Sequence, residues 1–193
     1  MKARHHVALL LAVIVSLASS SVWAAIKLPS VIGSNMVLQR DQAVPIWGWD
    51  DPGTEVTVTL GDAKATAEAD ADGKWKVELP AMKTGNPLTM TVEGTDKVTV
   101  ENILVGEVWL CSGQSNMEWA VASSNNSKEE IAAANHPKIR HIKIPHVPAE
   151  TPQENVASGG WQVCSPETVA GFTAVGYFFG RHLQQELDVP IGL

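Results

Sequence analysis

Between Thr54 and Val100, apolar and polar residues alternate with a period of about two, the spacing that places side chains on opposite faces of a strand. Thr54-Glu55-Val56-Thr57-Val58-Thr59-Leu60 alternates strictly, Gly61-Asp62 interrupts, and Ala63-Lys64-Ala65-Thr66-Ala67-Glu68-Ala69 alternates back. Two such runs joined by a short glycine-containing break predict a hairpin. Asp70-Ala71-Asp72-Gly73 predicts the next turn, ahead of a strand at Lys74-Trp75-Lys76-Val77-Glu78-Leu79. The acidic pattern of that turn has a faint calcium-loop look, but the distal glutamate is missing and a plain turn is the expectation. Leu88–Glu93 and Lys97–Val100 predict a further pair across Gly94-Thr95-Asp96, and Asn35–Gln39 and Val44–Trp49 add two strands upstream.

About seven short strands at this spacing predict a β-sandwich of immunoglobulin-like type over residues 25–103, without the cysteine pair of antibody domains. From Leu104 the period changes. An apolar strand over 104–111 leads into polar, helix-compatible residues. Ser127–Asn135 predicts a helix, with Ser127 as cap and Glu130 three residues on, and His136-Pro137 ends it. Ile139–Ile144 alternates as a second strand, and residues 145–168 read as a long Pro-, Ser- and Gly-containing loop. Phe172–Leu187 predicts a helix whose apolar stripe is Val175, Phe178, Phe179, Leu183 and Leu187, and Asp188–Leu193 enters another apolar strand. This β-α-β-loop-α-β order predicts the start of a three-layer α/β domain with a parallel sheet over residues 104–193. Such a sheet needs several strands covered on both faces, so the expectation is the N-terminal portion of a longer protein.

Composition changes the picture in three places. Hydrophobic residues are 45% and charged residues 18% of the 193, a globular balance; a net charge of −7 without basic clusters argues against a nucleic-acid partner. Met1-Lys2-Ala3-Arg4-His5-His6 is a basic start, Val7–Ala18 is an apolar core of signal length, and Ser19–Ala24 supplies small residues. The pattern predicts a signal peptide over residues 1–24, cleaved after Ala24, and an exported, periplasmic or extracellular protein with no membrane segment in the mature chain. Cys111 and Cys164 are the only cysteines. They either pair in an oxidising compartment or remain buried thiols, and their separation fits no zinc pattern. Trp47 and Trp49 share one strand face, where they serve as core, as packing against a neighbouring domain, or as a sugar-stacking platform.

The stretch that carries chemistry is Cys111-Ser112-Gly113-Gln114-Ser115-Asn116-Met117-Glu118-Trp119, which follows the apolar run Ile103–Leu110. A serine nucleophile needs this order: a strand end, a tight turn that presents Oγ, and a helix N-terminus behind it. Met117 stands where the second glycine of a Gly-x-Ser-x-Gly elbow would be, so the turn is not that of the common α/β-hydrolases. On spacing alone, Ser112 or Ser115 serves equally well as a helix cap. Gly113-Gln114-Ser115-Asn116-Met117 resembles the first block of the SGNH hydrolases. With the flanks Leu104–Trp109 and Glu118-Trp119 it is most similar to their sialate O-acetylesterase branch, which includes related carbohydrate acetylesterases. Gly33–Arg40, Pro45-Ile46-Trp47-Gly48, Tyr177–Arg181 and Val189–Leu193 are similar to further segments of that family.

The resemblance implies an SGNH-type α/β domain and a serine esterase that removes O-acetyl groups from sugars. Ser115 attacks the acetyl ester, an acetyl-serine forms, and water releases acetate, with no metal or organic cofactor. Gly113, Gln114, Ser115 and Asn116 form and steady the turn, and the Ser115 N–H is one oxyanion donor. The family's base is a histidine in an Asp-x-x-His block, and no such block follows Ser115. The chain is therefore expected to stop before its base and to be inactive by itself. Of His136, His141, His146 and His182, the loop residue His146 is the least implausible substitute. Glu118 reads as a capping-box partner and Arg181 as an ion-pair partner of Glu186 or Asp188. Two other readings stay open: an acetylesterase of xylan or another polysaccharide, and a non-catalytic carbohydrate-binding remnant. In the esterase readings the partner is an O-acetylated carbohydrate.

Overall fold

The computed structural model describes residues 25–193, so the expected signal peptide lies outside the described residues. The alternating half of the chain forms β1 (Val37–Gln39), β2 (Val44–Trp49), β3 (Glu55–Leu60), β4 (Ala63–Glu68), β5 (Lys74–Leu79), β6 (Leu88–Glu93) and β7 (Lys97–Val108). β4, β3, β6 and the first half of β7 make an antiparallel sheet, and β2 and β5 pair as a separate antiparallel ribbon. The two layers close on one core. Val56, Val58 and Leu60 face Ile46, Trp75, Val77 and Leu79, with Met90, Val92, Val100 and Ile103 completing the cluster. Each such aliphatic side chain contributes about 1.5–3 kcal/mol over leaving it in water. The turn at Asp70–Gly73 uses its own carboxylate: Asp70 Oδ1 accepts from the N–H of Asp72 and of Lys74, both at 2.9 Å. The carboxylate thus closes the turn itself.

β7 is twelve residues long and runs without a break through residues 103 and 104. Its first half pairs antiparallel with β6. Between Val100 and Ile103 the register shifts by one residue against Met90 and Leu88, and Asn102 sits there at φ 57°. That is a β-bulge. Beyond it, Leu104–Gly106 pairs parallel with β1. Glu107 and Val108 pair parallel with the short final strand β10 (Ile191–Gly192).

The second half adds α1 (Ser115–Glu118), α2 (Ser127–Ala133), β8 (His136–His141), β9 (Gln162–Cys164) and α3 (Ala174–Leu187). β10 lies between β7 and β8, parallel to both, and β9 runs antiparallel along β8. The result is a mixed sheet with parallel strands and few helices. Among the described residues no helix is long and apolar enough to cross a membrane.

Three local expectations differ from the structure. The strand expected at 139–144 lies at His136–His141, because β10 offers its main pairing at Ile139 and Arg140 and the chain leaves the sheet soon after. α3 packs only part of its expected stripe, Phe178 and Leu183, against the core. Val175, Phe179 and Leu187 are exposed, whereas Ala174, Gly176, Tyr177 and Gly180 are buried. The helix lies down on its small residues. A Cβ on Gly180 would come within 3.0 Å of the Leu193 side chain, and one on Gly176 within 3.0 Å of Cys111 Sγ. α2 is capped by Asn126 in the left-handed region, not by Ser127. Glu130 faces inward instead, accepting from the Tyr177 hydroxyl at 2.7 Å and pairing with Arg181, which therefore meets neither Glu186 nor Asp188.

A polar node ties the halves together. Arg140 is 4% exposed and has no carboxylate partner among the described residues. It donates to the Pro137 carbonyl (2.9 Å), to Asn35 Oδ1 (3.3 Å) and to Asn102 Oδ1 (3.4 Å), and Asn102 in turn donates to Asn35 at 2.7 Å. A buried guanidinium costs heavily unless its donors are satisfied, so these acceptors hold β8 against the bulge of β7 and the turn before β1.

Gly106 is where β7 passes the backbone leading into β10. A Cβ there would stand 2.0 Å from the Pro190 carbonyl oxygen, a backbone atom that cannot step aside alone. Gly106→Ala is expected to lower unfolding stability by about 1–3 kcal/mol, measured by urea denaturation. An unchanged midpoint would show that the strands shift apart freely.

Candidate active site

The serine turn is built differently from a strand that runs directly into a nucleophile. β7 ends at Val108, where its ladder with β10 runs out at the Trp109 N–H to Gly192 carbonyl bond (2.8 Å). Residues 109–114 then cross without regular structure, and Ser115 opens the four-residue α1. The Met117 N–H closes the turn on the Gln114 carbonyl at 2.8 Å. Ser115 is exposed and is the first helical residue, which places its own N–H among those a helix leaves unpaired at its start. Gln114 is the cap residue but makes no side-chain cap bond. Neither it nor Asn116 donates or accepts a side-chain hydrogen bond with a described residue, so their expected bracing of the turn is absent; the backbone closes it without them. Gly113 lines the adjoining cleft, and a Cβ on it would just touch the Met117 side chain at 3.4 Å.

What holds α1 in place comes from α3. The Ala174 N–H donates to the Trp119 carbonyl at 2.7 Å, and the Thr173 hydroxyl lies 3.6 Å from Met117 Sδ. Thr173 also caps α3, accepting from the Gly176 N–H. Trp109 meets Phe179 edge-on, with ring centroids 5.0 Å apart. The exposed stripe of α3 thus steadies the chain leaving β7.

A cleft of about 510 Å³ opens beside this turn. Residues 108–113, Met117 and Glu118 form one wall, and residues 141–146, where the chain leaves β8, form the other. Trp161, Thr173 and Leu193 also line it. Ser115 borders the cleft through Gly113 and Met117 and is not itself a lining residue.

Of the four histidines weighed from sequence, the cleft holds two. His146 Nδ1 lies 3.2 Å from Glu118 Oε1, with both side chains largely exposed. Glu118 is therefore not a capping-box partner: Ser115 is inside the helix rather than capping it, and the carboxylate turns across the cleft instead. The pairing joins a helix to a loop of irregular backbone, so no spacing rule signals it. His141 is buried, stacked on Phe172 with centroids 4.1 Å apart. Burial, reinforced by the Lys143 charge, pulls its pKa down to about 4. His136 is also pulled down by burial, with Arg181 adding to the effect, and it contacts Tyr177 away from the cleft. His182 lies on α3.

Both cysteines are unpaired thiols. Burial pushes Cys111 up, and pushes Cys164 to about 12. Neither forms a thiolate near neutrality; of the two serines in the turn, Ser112 lines the cleft and Ser115 stands at its border. Among the described residues no group of three or more His, Cys, Asp or Glu is placed to hold a metal ion.

His141 carries a pH signature. Its folded pKa of about 4 lies below the 6.5 of a free imidazole. The unfolded chain therefore binds the proton first as pH falls, and the stability present above the free value is lost between those two limits. A His141→Gln variant is expected to show a flatter fall in urea midpoint over that window than the parent; parallel profiles would contradict a buried, neutral His141.

Comparison with known proteins finds acetylesterases over most of this chain. The chain is 34% identical over 197 residues to the sialate O-acetylesterase of Homo sapiens, covering 91% of this chain and 38% of that protein. Against the sialate O-acetylesterase of Mus musculus it is 32% identical over 200 residues, covering 93% and 37%. A crystal structure of a carbohydrate acetylesterase from Xanthomonas citri superposes with a TM-score of 0.85 at 41% identity, over 87% of this chain and 39% of that one. No protein-family model matches. On these likenesses the chain, spanning under two-fifths of the length of its curated relatives, is similar over about nine-tenths of its own length to sialate O-acetylesterases.

Proposed function

We propose that the chain carries the nucleophile of a serine esterase that removes O-acetyl groups from sugars, with Ser115 attacking the acetyl carbonyl. The observation that carries this reading is the exposed Ser115 at a helix start beside a cleft, in a chain whose relatives are acetylesterases. The Ser115 N–H faces the developing oxyanion, the sugar oxygen departs as a hydroxyl with the proton taken from the serine, Ser115 is left acetylated, and water then cleaves that ester to acetate and free serine. The substrate is an O-acetylated carbohydrate. A sialate ester is the first choice because the curated relatives carry that name, and acetylated xylan or another polysaccharide is the alternative.

The same reading takes residues 25–103 as an immunoglobulin-like β-sandwich, supported by the two antiparallel layers on one core. Residues 104–193 are then SGNH-type α/β structure, supported by parallel β7, β10 and β8. Residues 1–24 are a signal peptide directing export to the periplasm or beyond, on the basic, apolar and small-residue pattern.

The base is proposed to come from residues other than the described histidines. His141 is buried and neutral, His136 and His182 face elsewhere, and His146 is held only by one contact between exposed groups. One observation favours a second reading, in which His146 is the base and Glu118 its orienting carboxylate: their 3.2 Å contact at the cleft.

Acetate release from 4-nitrophenyl acetate separates these. The 193-residue chain alone is expected to match its Ser115→Ala variant, while added imidazole, a diffusible base, raises the parent above that variant. Equal rates with imidazole would remove Ser115 from the nucleophile role. Turnover without imidazole, lost in both Ser115→Ala and His146→Ala, would hand the base role to His146.

A further inference from the structure

A second cavity lies on the outer face of the β2–β5 ribbon. It measures about 590 Å³ and shares no lining residue with the serine cleft. β2 turns Val44, Ile46 and Gly48 inward, so Trp47 and Trp49 stand on the opposite face, each half-buried, with Trp47 also packed in part against the sandwich core. Residues two apart on a strand stand about 6.7 Å apart, close enough to meet adjoining rings of one saccharide chain. Across the ribbon Trp47 registers with Lys76 and Trp49 with Lys74.

The frame that holds the indoles is specific. Gly48 lies between them with its α-carbon against Trp75, and a Cβ there would come within 2.8 Å of that ring and 2.3 Å of the Lys27 carbonyl. Only glycine lets the ribbon lie this close to Trp75, which is 3% exposed, lines the same cavity, and has an indole N–H with no hydrogen-bond partner. The Lys27–Trp49 bridge, with two backbone bonds of 2.9 Å, pins the far end of the ribbon.

Around the two indoles stand Glu68, Asp70, Glu154, Lys74 and Lys76. Glu154 comes from the long 145–161 segment and locks Lys74 at 2.6 Å. That segment is fastened beside the ribbon: Ser30 N–H donates to Asn155 Oδ1 at 2.9 Å, Ser30 Oγ to the Val156 carbonyl, and Trp161 Nε1 to the Val31 carbonyl at 2.9 Å. Lys76 has no ion-pair partner among the described residues. Carboxylates and ammonium groups are thus interleaved, with near balance of sign. A polyanion meets three like charges here, and a peptide or lipid tail finds too little uninterrupted apolar surface. A neutral sugar chain fits both features, because its ring faces are apolar and its rim of hydroxyls both donates and accepts.

We propose that Trp47 and Trp49 form a second, non-catalytic carbohydrate site that takes a neutral oligosaccharide, with pyranose faces on the indoles and hydroxyls on Lys76, Glu68 and Glu154. The site does not depend on Ser115 being a nucleophile.

The test is calorimetric titration of the 193-residue chain with xylohexaose, cellohexaose, N-acetylchitohexaose and polysialic acid. At least one neutral hexasaccharide is expected to bind, and Trp47→Ala and Trp49→Ala each to weaken it roughly tenfold or more, at unchanged circular dichroism. Ser115→Ala binds as the parent does. No binding of any neutral chain, binding that survives the double tryptophan variant, or a preference for polysialic acid would each overturn the proposal. Should the tryptophan variants not fold, Lys76→Ala decides: a severalfold loss supports the site, and unchanged affinity overturns it.

Discussion

The larger sheet of this molecule hangs from the hydrogen-bonded edges of β7. One edge region carries β6 antiparallel, another carries β1 parallel, and the last two residues carry β10. A strand that serves three partners must satisfy three geometries in twelve residues. It does so with a bulge at Asn102 and a missing side chain at Gly106. Arg140 then clamps the bulge from the side, its buried donors shared between Asn35, Asn102 and the Pro137 carbonyl. The serine turn inherits its position from this arrangement, since residues 109–114 start where the β7–β10 ladder ends.

Period-two alternation made β3 to β6 legible, because each of these strands has one face against a single apolar core and the other in water. The strand bounds near the parallel sheet were harder to read. A strand buried on both sides has no alternation, and its length is set by how far a distant partner such as β10 extends. α3 was read as a helix, but its buried face was only partly read: Phe178 and Leu183 pack on the core, while Val175, Phe179 and Leu187 are exposed. Apolar stripes assume that large side chains make the contact, whereas this helix also approaches β10 through Gly180 and Cys111 through Gly176, which a hydrophobic pattern ignores. Glu130 shows the same limit. Its spacing from Ser127 suggested a cap, and its true partners, Tyr177 and Arg181, lie far along the chain.

At the site, Ser115 and Gly113 were legible from a five-residue block and from likeness to a family. The contact of Glu118 with His146 was not, because it joins a helix to a segment of irregular backbone. The surroundings narrow the chemistry by quiet means. Burial keeps the Cys111 thiol protonated and His141 neutral, which leaves the exposed Glu118–His146 pair as the cleft's titrating contact. The cleft wall is left largely apolar.

The bulge at Asn102 sets the phase of the strand. Val100 and Ile103 both point into the same core although they are three residues apart, an odd step that an unbroken strand would send to opposite faces. One additional residue therefore reconciles the parity of the antiparallel sheet with that of the parallel one. Chain length within β7 behaves like the tooth count of a gear. Loss of a single residue there would leave composition and hydrophobicity almost untouched, yet it would rotate everything after it by half a turn. Side chains now in the core of one half would face water in the other. Variation in this lineage should then tolerate many substitutions along β7 but almost no change in its length.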